Sequence, residues 1–279
     1  MQLKSLKLSP KTIWAVLLLL GSGLMLFPFW VMLITSVTPS AEVFTNRHQV
    51  WVWPPDLSNY TRLFTRIPMA TYVWNSLFVS VMTTVIHVLL CAMAGYGFAK
   101  YEFRGKTVLF TLCLLTLMIP PQVNIVPLFF MMNQLHWMNT YWALIVPGLF
   151  GAFGVILLRQ WFSTLPNELL DAAQLDGCNA WQTFWRVGLP LALPALAALA
   201  IFIFIASWNS FMWPLIVTHS PELRTLPVGL AELKGSYRDV MDWSVLMAAA
   251  TVSVIPVCVV FLIGQRQFLA GLTDGGVKE

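Results

Sequence analysis

Few residues in this chain are equipped for covalent chemistry, and those few do not cluster. The four cysteines, Cys91, Cys113, Cys178 and Cys258, contain no CxxC pair, so neither a disulfide framework nor a zinc site follows. His48, His87, His136 and His219 form no metal-ligand pattern. Gly105-Lys106-Thr107 has the ending of a phosphate-binding loop. The motif also needs a glycine where Lys100 stands, on a strand–loop–helix unit that is missing here. No catalytic residue, metal ligand or nucleotide site is therefore expected. What remains is the chemistry of docking and of polar side chains in apolar surroundings.

The docking signal is densest between Pro166 and Pro194, PNELLDAAQLDGCNAWQTFWRVGLPLALP. The stretch reads as two short helices joined at Asp176-Gly177. Pro166 suits a helix start, where a missing N–H does little harm. Glu168 and Asp171 lie in the early turns, where carboxylates favour the helix dipole. Gly177 can take the left-handed conformation that ends a helix, and Asn179 can cap the next one. Trp181, Phe184 and Trp185 then share one face at i, i+3, i+4 spacing. Such a face on a short loop either docks onto another protein or lies on lipid headgroups.

The elements that position this loop are spanning helices. Apolar residues make up 58% of the chain and charged residues 10%, which excludes an ordinary soluble domain. The 13 Trp suit a protein anchored at two membrane interfaces. The net charge of +4 comes from Lys and Arg scattered over loops, with no basic stripe for nucleic acid. Apolar runs predict six helices, near 13–37, 72–99, 107–132, 137–161, 187–212 and 244–264. The first is too long for a signal-peptide core and reads as a retained span. Residues 1–71 comprise a tail, the first span and an outer loop; 72–265 form the transmembrane core; 266–279 form a second tail. The terminus side carries ten Lys and Arg and the other side six, so the positive-inside rule puts both termini and the 166–190 loop in the cytoplasm. The fold class is an all-α integral membrane protein.

Polar residues inside the spans are the other candidates. Met118-Ile119-Pro120-Pro121-Gln122-Val123-Asn124 interrupts the third span, and broken backbone at that depth needs protein or a water-lined cavity around it. Gln122 and Asn124 either satisfy the freed carbonyls or touch a solute. Trp208 and Asn209, at the end of the fifth span, either stack on and hydrogen-bond a sugar or serve as an interfacial aromatic and a cap. His87 is an intramembrane ionisable group, for which a bond to a neighbouring carbonyl is the simpler account.

Asp171-Ala172-Ala173, three residues, Gly177, nine residues and Val187-Gly188-Leu189-Pro190 resemble the EAA loop, EAA-x3-G-x9-I-x-LP, of binding-protein-dependent ABC importer permeases. Asp171 stands where Glu is usual and Val187 where Ile is usual. MIPPQ, Trp208-Asn209-Ser210-Phe211-Met212-Trp213-Pro214-Leu215, NYTRLF at 59–64 and the ending GLTDGGVK are similar to segments of the family's carbohydrate permeases. The resemblance implies the six-helix type I importer permease fold. It also implies a sugar or sugar-like solute such as glycerol-3-phosphate, moved across the inner membrane of a bacterium. The loop would couple to a cytoplasmic ATPase through Glu168, Asp171, Ala172, Ala173, Asp176, Gly177, Trp181, Phe184, Leu189 and Pro190. The implied partners are a second homologous permease, a homodimeric ABC ATPase holding ATP and Mg, and a periplasmic or lipid-anchored solute-binding protein, with membrane lipids around and no nucleic acid. The tail at 266–279 would reach toward the ATPase. The chain itself needs no cofactor and is not an enzyme. The rival reading, a stand-alone secondary transporter or channel, calls for paired intramembrane charges; the expected spans contain His87 and no Asp, Glu or Lys, and Arg159 stands only at the terminus-side end of the fourth.

Overall fold

The computed structural model of the chain describes residues 10–44, 51–235 and 242–273. Among them every regular element is a helix: α1 Pro10–Ser36, α2 Ser58–Arg66, α3 Met69–Lys100, α4 Lys106–Thr116, α5 Ile125–Gln134, α6 Tyr141–Ile145, α7 Ala152–Thr164, α8 Asn167–Leu175, α9 Ala180–Thr183, α10 Leu189–Leu191, α11 Leu193–Trp208, α12 Met212–Val217, α13 Leu226–Gly235 and α14 Trp243–Thr273. Of the predicted tail at 266–279, residues 266–273 continue α14, and 274–279 lie outside the described residues.

Three helices, α1, α3 and α14, are long and apolar enough to cross a membrane alone. The other three predicted spans are bent pairs. Their bends are 94° between α4 and the Pro121–Gln134 segment, 43° between the Tyr141–Gly148 segment and α7, and 76° between the Ala180–Leu191 segment and α11. Each break falls at or within two residues of a proline, which lacks a donor and clashes with the preceding turn. Pro121 opens a 3₁₀ turn through Asn124, Pro147 sits in another at Val146–Gly148, and Pro190 and Pro194 flank the third break. The third span's interruption at 118–124 was visible in the sequence; the fourth and fifth spans, which the apolar runs presented as continuous, are divided as well.

The chain forms two compact units. The first runs to Ile67 and adds Glu232–Val254. Its α1 is apolar and exposed along most of its length, a surface suited to lipid or to another chain. Helix α2, which the sequence left inside a loop, is held by the buried Asn59, whose amide donates to the carbonyls of Ser36 and Thr38, both at 2.9 Å. Asp242, just ahead of α14, accepts from Ser40 at 2.6 Å, Arg62 at 3.1 Å and Arg66 at 3.0 Å. Burial pushes the Asp242 carboxyl up, but the bonds from Ser40, Val245 N–H and Arg66 and the charge of Arg62 outweigh it, leaving its pKa lowered.

The second unit spans Pro68–Ala231 and the chain from Ile255. Helix α3 is its axis, packed along α7 and α11. Close approach to α7 rests on Gly95, where a Cβ would lie 2.9 Å from the Arg159 nitrogen and 3.0 Å from Leu158 Cβ. Around this crossing Cys91, Ala92, Tyr96, Val155, Leu158 and Phe162 form a dry core that also takes in Leu170 and Phe184. At the opposite end of α3, buried Asn75 donates to the carbonyls of Glu222 and Arg224 at 2.8 and 2.9 Å and accepts from the Tyr141 hydroxyl at 2.6 Å.

Candidate functional site

The 166–190 loop has the two-helix form expected from its caps. Helix α8 ends in a complete Schellman arrangement. Cys178 N–H donates to the Ala173 carbonyl and Gly177 N–H to that of Gln174, both at 3.0 Å. Gly177 has φ +87°, in the left-handed region. Asn179 then closes a capping box: its side chain accepts from Gln182 N–H while the Gln182 side chain accepts from Asn179 N–H, both at 2.9 Å. Pro166 stands one position ahead of the helical residues. After Thr183 the backbone widens into a π-turn at Phe184–Gly188 before α10, a local loosening common at functional places in helices.

The expected coupling residues divide into two sets. Phe184 and Leu189 pack in the second unit's core and Ala173 is buried; Phe184 is 3% exposed, with its ring 5.1 Å from that of Tyr96. Glu168, Asp171, Ala172, Asp176, Gly177, Trp181 and Pro190 are exposed. Leu175, which the sequence reading passed over, is 89% exposed, and Trp181 is 56% exposed. Trp181 and Trp185 rest on one another at 5.6 Å and on Phe184, so exposed indoles stand on a buried phenyl ring. The loop is therefore seated on one side and presents carboxylates, a small alanine and apolar side chains on the other.

Lys100, at the end of α3, was also passed over. Its Nζ donates to the Leu165 carbonyl and, at 2.9 Å, to Asn167 Oδ1. It thereby ties α3 to the start of α8. Tyr96, one turn earlier, packs on Phe162 at 5.2 Å and on Phe184. The signal was a lysine at a span end, and helix-terminal lysines are too common to stand out.

The intramembrane candidates are not brought together. Gln122 and Asn124 are exposed at the 3₁₀ turn, and Asn209 is exposed where α11 ends. Trp208 is 2% exposed and lies against Phe204, with ring centroids 5.9 Å apart and planes within 14°. In this conformation its ring faces core. The sequence pointed to Trp208 and not to Trp213, a residue of the same type; the break after Trp208 turns Trp213 into a cleft between α3, the Leu144–Gly148 segment, α11 and α12. His87 fulfils the simpler account: Nδ1–H donates to the Gly148 carbonyl at 2.8 Å.

Comparison with known proteins agrees with this geometry. Residues 87–273 match the family described as binding-protein-dependent transport system inner membrane component. The chain is 38% identical over 255 residues to the arabinooligosaccharides transport system permease protein AraQ of Halalkalibacterium halodurans, covering 90% of this chain and 91% of that one. It is 31% identical over 265 residues to the sn-glycerol-3-phosphate transport system permease protein UgpE of Yersinia enterocolitica, covering 93% and 94%. Among solved structures, a bacterial ABC transporter involved in import of the acidic polysaccharide alginate has a chain that superposes with TM-score 0.83 at 26% identity, over 92% of this chain and 95% of that one. The chain therefore belongs to the inner membrane permease components of binding-protein-dependent transport systems.

Proposed function

We propose that this chain forms half of the translocation path of an ATP-driven importer for sugars or sugar-like solutes, and that the 166–190 loop docks on a cytoplasmic ATPase. The observation that carries the reading is the two-sided loop: Leu170 and Phe184 seat it in the core, while Asp171, Ala172, Leu175 and Trp181 are exposed. Permease relatives for arabinooligosaccharides and glycerol-3-phosphate support a carbohydrate-like substrate. The remaining parts are a second homologous permease, an ATPase homodimer carrying ATP and Mg, and a periplasmic or lipid-anchored binding protein. Both termini face the cytoplasm, as the Lys and Arg bias favours.

The residues suggest how movement crosses the membrane without covalent chemistry. Closure of the ATPase pair displaces α8 and α9. Because Phe184 packs on Tyr96 and Lys100 holds Leu165 and Asn167, α3 moves with the loop. Close-packed interfaces shift between discrete arrangements and do not stretch, so displacement at one end of α3 reaches the cleft wall at Thr83 and His87. Co-purification from native membranes, followed by reconstitution with ATP inside the vesicles, tests the reading. A related permease, an ATPase and ATP-dependent sugar uptake are expected. Uptake by this chain alone, without ATP, would replace the reading with that of a secondary transporter.

A further inference from the structure

Arg159 is the one Lys or Arg within the expected spans, at the terminus-side end of the fourth, and neither the loop nor the cleft uses its side chain. Its guanidinium lies over the Phe110 ring of α4, 3.9 Å from the centroid, and Phe98 of α3 packs on that ring at 5.4 Å. We propose that Arg159 and Lys106 form a binding site for the phosphate of an anionic phospholipid, seated between α4 and α7. The site lies outside the proposed transport machinery. It leans on the importer reading only in naming the leaflet as cytoplasmic.

Stacking occupies the face of the guanidinium and leaves its in-plane N–H donors unused. Among the described residues no carboxylate pairs with Arg159, and nothing accepts from its side chain. Of its nitrogens only Nε is sealed away without a partner, so the Nη atoms reach the surface. They form the fork that holds a phosphate through two parallel hydrogen bonds. Lys106 precedes Phe110 by one turn of α4, which puts their Cβ atoms about 5–6 Å apart. It donates to Glu102 at 2.7 Å, but that carboxylate is almost fully exposed and Arg104 stands exposed beside it. Around the first turns of α4, Arg104, Lys106 and Arg159 therefore meet a single carboxylate. A cation at the edge of a low-dielectric layer is costly to leave unpaired.

Depth selects a lipid as the source of the anion. Helix α4 has 11 residues, so it is about 16 Å long, close to half of the roughly 30 Å hydrocarbon layer. The chain then turns through 94°. Val108, Leu109, Leu112, Leu114 and Leu115 are exposed along it, an apolar surface one leaflet deep beneath a cationic end. A phospholipid matches both parts, with its phosphate on the fork and its acyl chains along the helix. Basic pockets between spanning helices on the cytoplasmic side suit such headgroups. A protein partner would have to desolvate a carboxylate at that level, whereas a lipid phosphate already resides there.

The test uses the intact complex in vesicles of phosphatidylcholine mixed equally with phosphatidylglycerol, each lipid in turn carrying a photoreactive headgroup. Labelled peptides are identified by mass spectrometry. Phosphatidylglycerol is expected to label the peptides around Lys106 and Arg159 about fivefold more than phosphatidylcholine does, the effect of one cation near an anionic headgroup. Arg159→Gln should remove most of that preference. Arg159→Lys should keep most of it, since lysine retains the charge, and so separates loss of the cation from loss of the fold. Equal labelling by the two lipids, or a preference unchanged in Arg159→Gln, would overturn the assignment. So would displacement of the label by inorganic phosphate, which marks a soluble anion, or cross-linking of these peptides to protein in place of lipid. ATP-driven uptake is followed in the same vesicles. Its absence with the lipid preference intact would defeat the importer reading and leave this site standing.

Discussion

Gly177 permits a prediction whose size follows from one dihedral angle. Its φ of +87° is one that L-residues rarely adopt, yet a Cβ built there meets nothing within 4 Å. Steric crowding is thus absent and the penalty is purely conformational. An alanine in this region costs about 1–2 kcal/mol, a factor of roughly 5–30 in the population of the turn. The turn holds Cys178 N–H on the Ala173 carbonyl and sets the exit of α8 relative to the Asn179 cap. Gly177→Ala should therefore depress ATP-driven uptake by about that factor, and Gly177→Val further, because a β-branched residue fits positive φ least. Gly177→Asn should recover most of the loss, since Asn tolerates the left-handed region. Uptake and ATP hydrolysis would be measured together in reconstituted vesicles, with complex yield checked by co-purification. The expected pattern is a normal yield with uptake falling faster than hydrolysis, in the order Gly, Asn, Ala, Val. Equal uptake across the four would refute the reasoning, as would an order following side-chain volume instead of φ tolerance.

Phe184→Ala should destabilise the protein by about 3–5 kcal/mol, the usual cost of emptying a buried aromatic site. Trp181→Ala, at a side chain 56% exposed, should leave the melting temperature nearly unchanged while weakening ATPase retention on an affinity column. Gly95→Ala should cost about 1–3 kcal/mol through overpacking, because its Cβ would meet the Arg159 backbone nitrogen at 2.9 Å; thermal unfolding in detergent reads this directly. Asp242→Asn should lower stability by about 1–2 kcal/mol, between an exposed ion pair and a charged hydrogen bond in value. Because the Asp242 carboxyl is shifted downward, its contribution is complete above the ordinary carboxylate range near pH 4 and fades as pH falls through the lowered value. The variant should accordingly lose less stability to acid over that range than the natural protein does, with Asp56, whose carboxyl is also shifted downward by Ser58, keeping its own share.

The loop was legible because its signals are local. A proline start, a glycine stop and an Asn cap each act within a few residues, and α8 and α9 begin and end where those signals lie. The spans were legible as apolar runs, but their straightness was not. A run of apolar residues reads alike whether it continues or turns through 94°, as it does after Thr116. Proline weakens the helix at a site, while neighbouring packing sets how far it bends. The same limit hid the cleft. Trp208 and Trp213 are equal in type and both suit an interface, and only the unwound Asn209–Phe211 step assigns one to the core and the other to the cleft. Lys100 and Asn75 were missed for a related reason: their partners lie 65 to 149 residues away in sequence.

The distribution of polarity along α3 links these observations. From Cys91 to Tyr96 the helix is closed against α7 by a glycine contact and a dry aromatic core. From Ser80 to His87 it carries buried hydroxyls and a ring nitrogen without hydrogen-bond partners among the described residues. A dry, close-packed segment resists deformation because any separation forfeits dispersion contacts on both sides. A segment with unpaired hydroxyls can exchange partners at little net cost, since each new hydrogen bond replaces one that was missing. Helix α3 is thus stiff where the loop grips it and adaptable where the cleft opens. A lever carrying movement from the loop to the cleft, as proposed above, needs that order. The reverse arrangement would dissipate the movement at the loop and leave the cleft rigid.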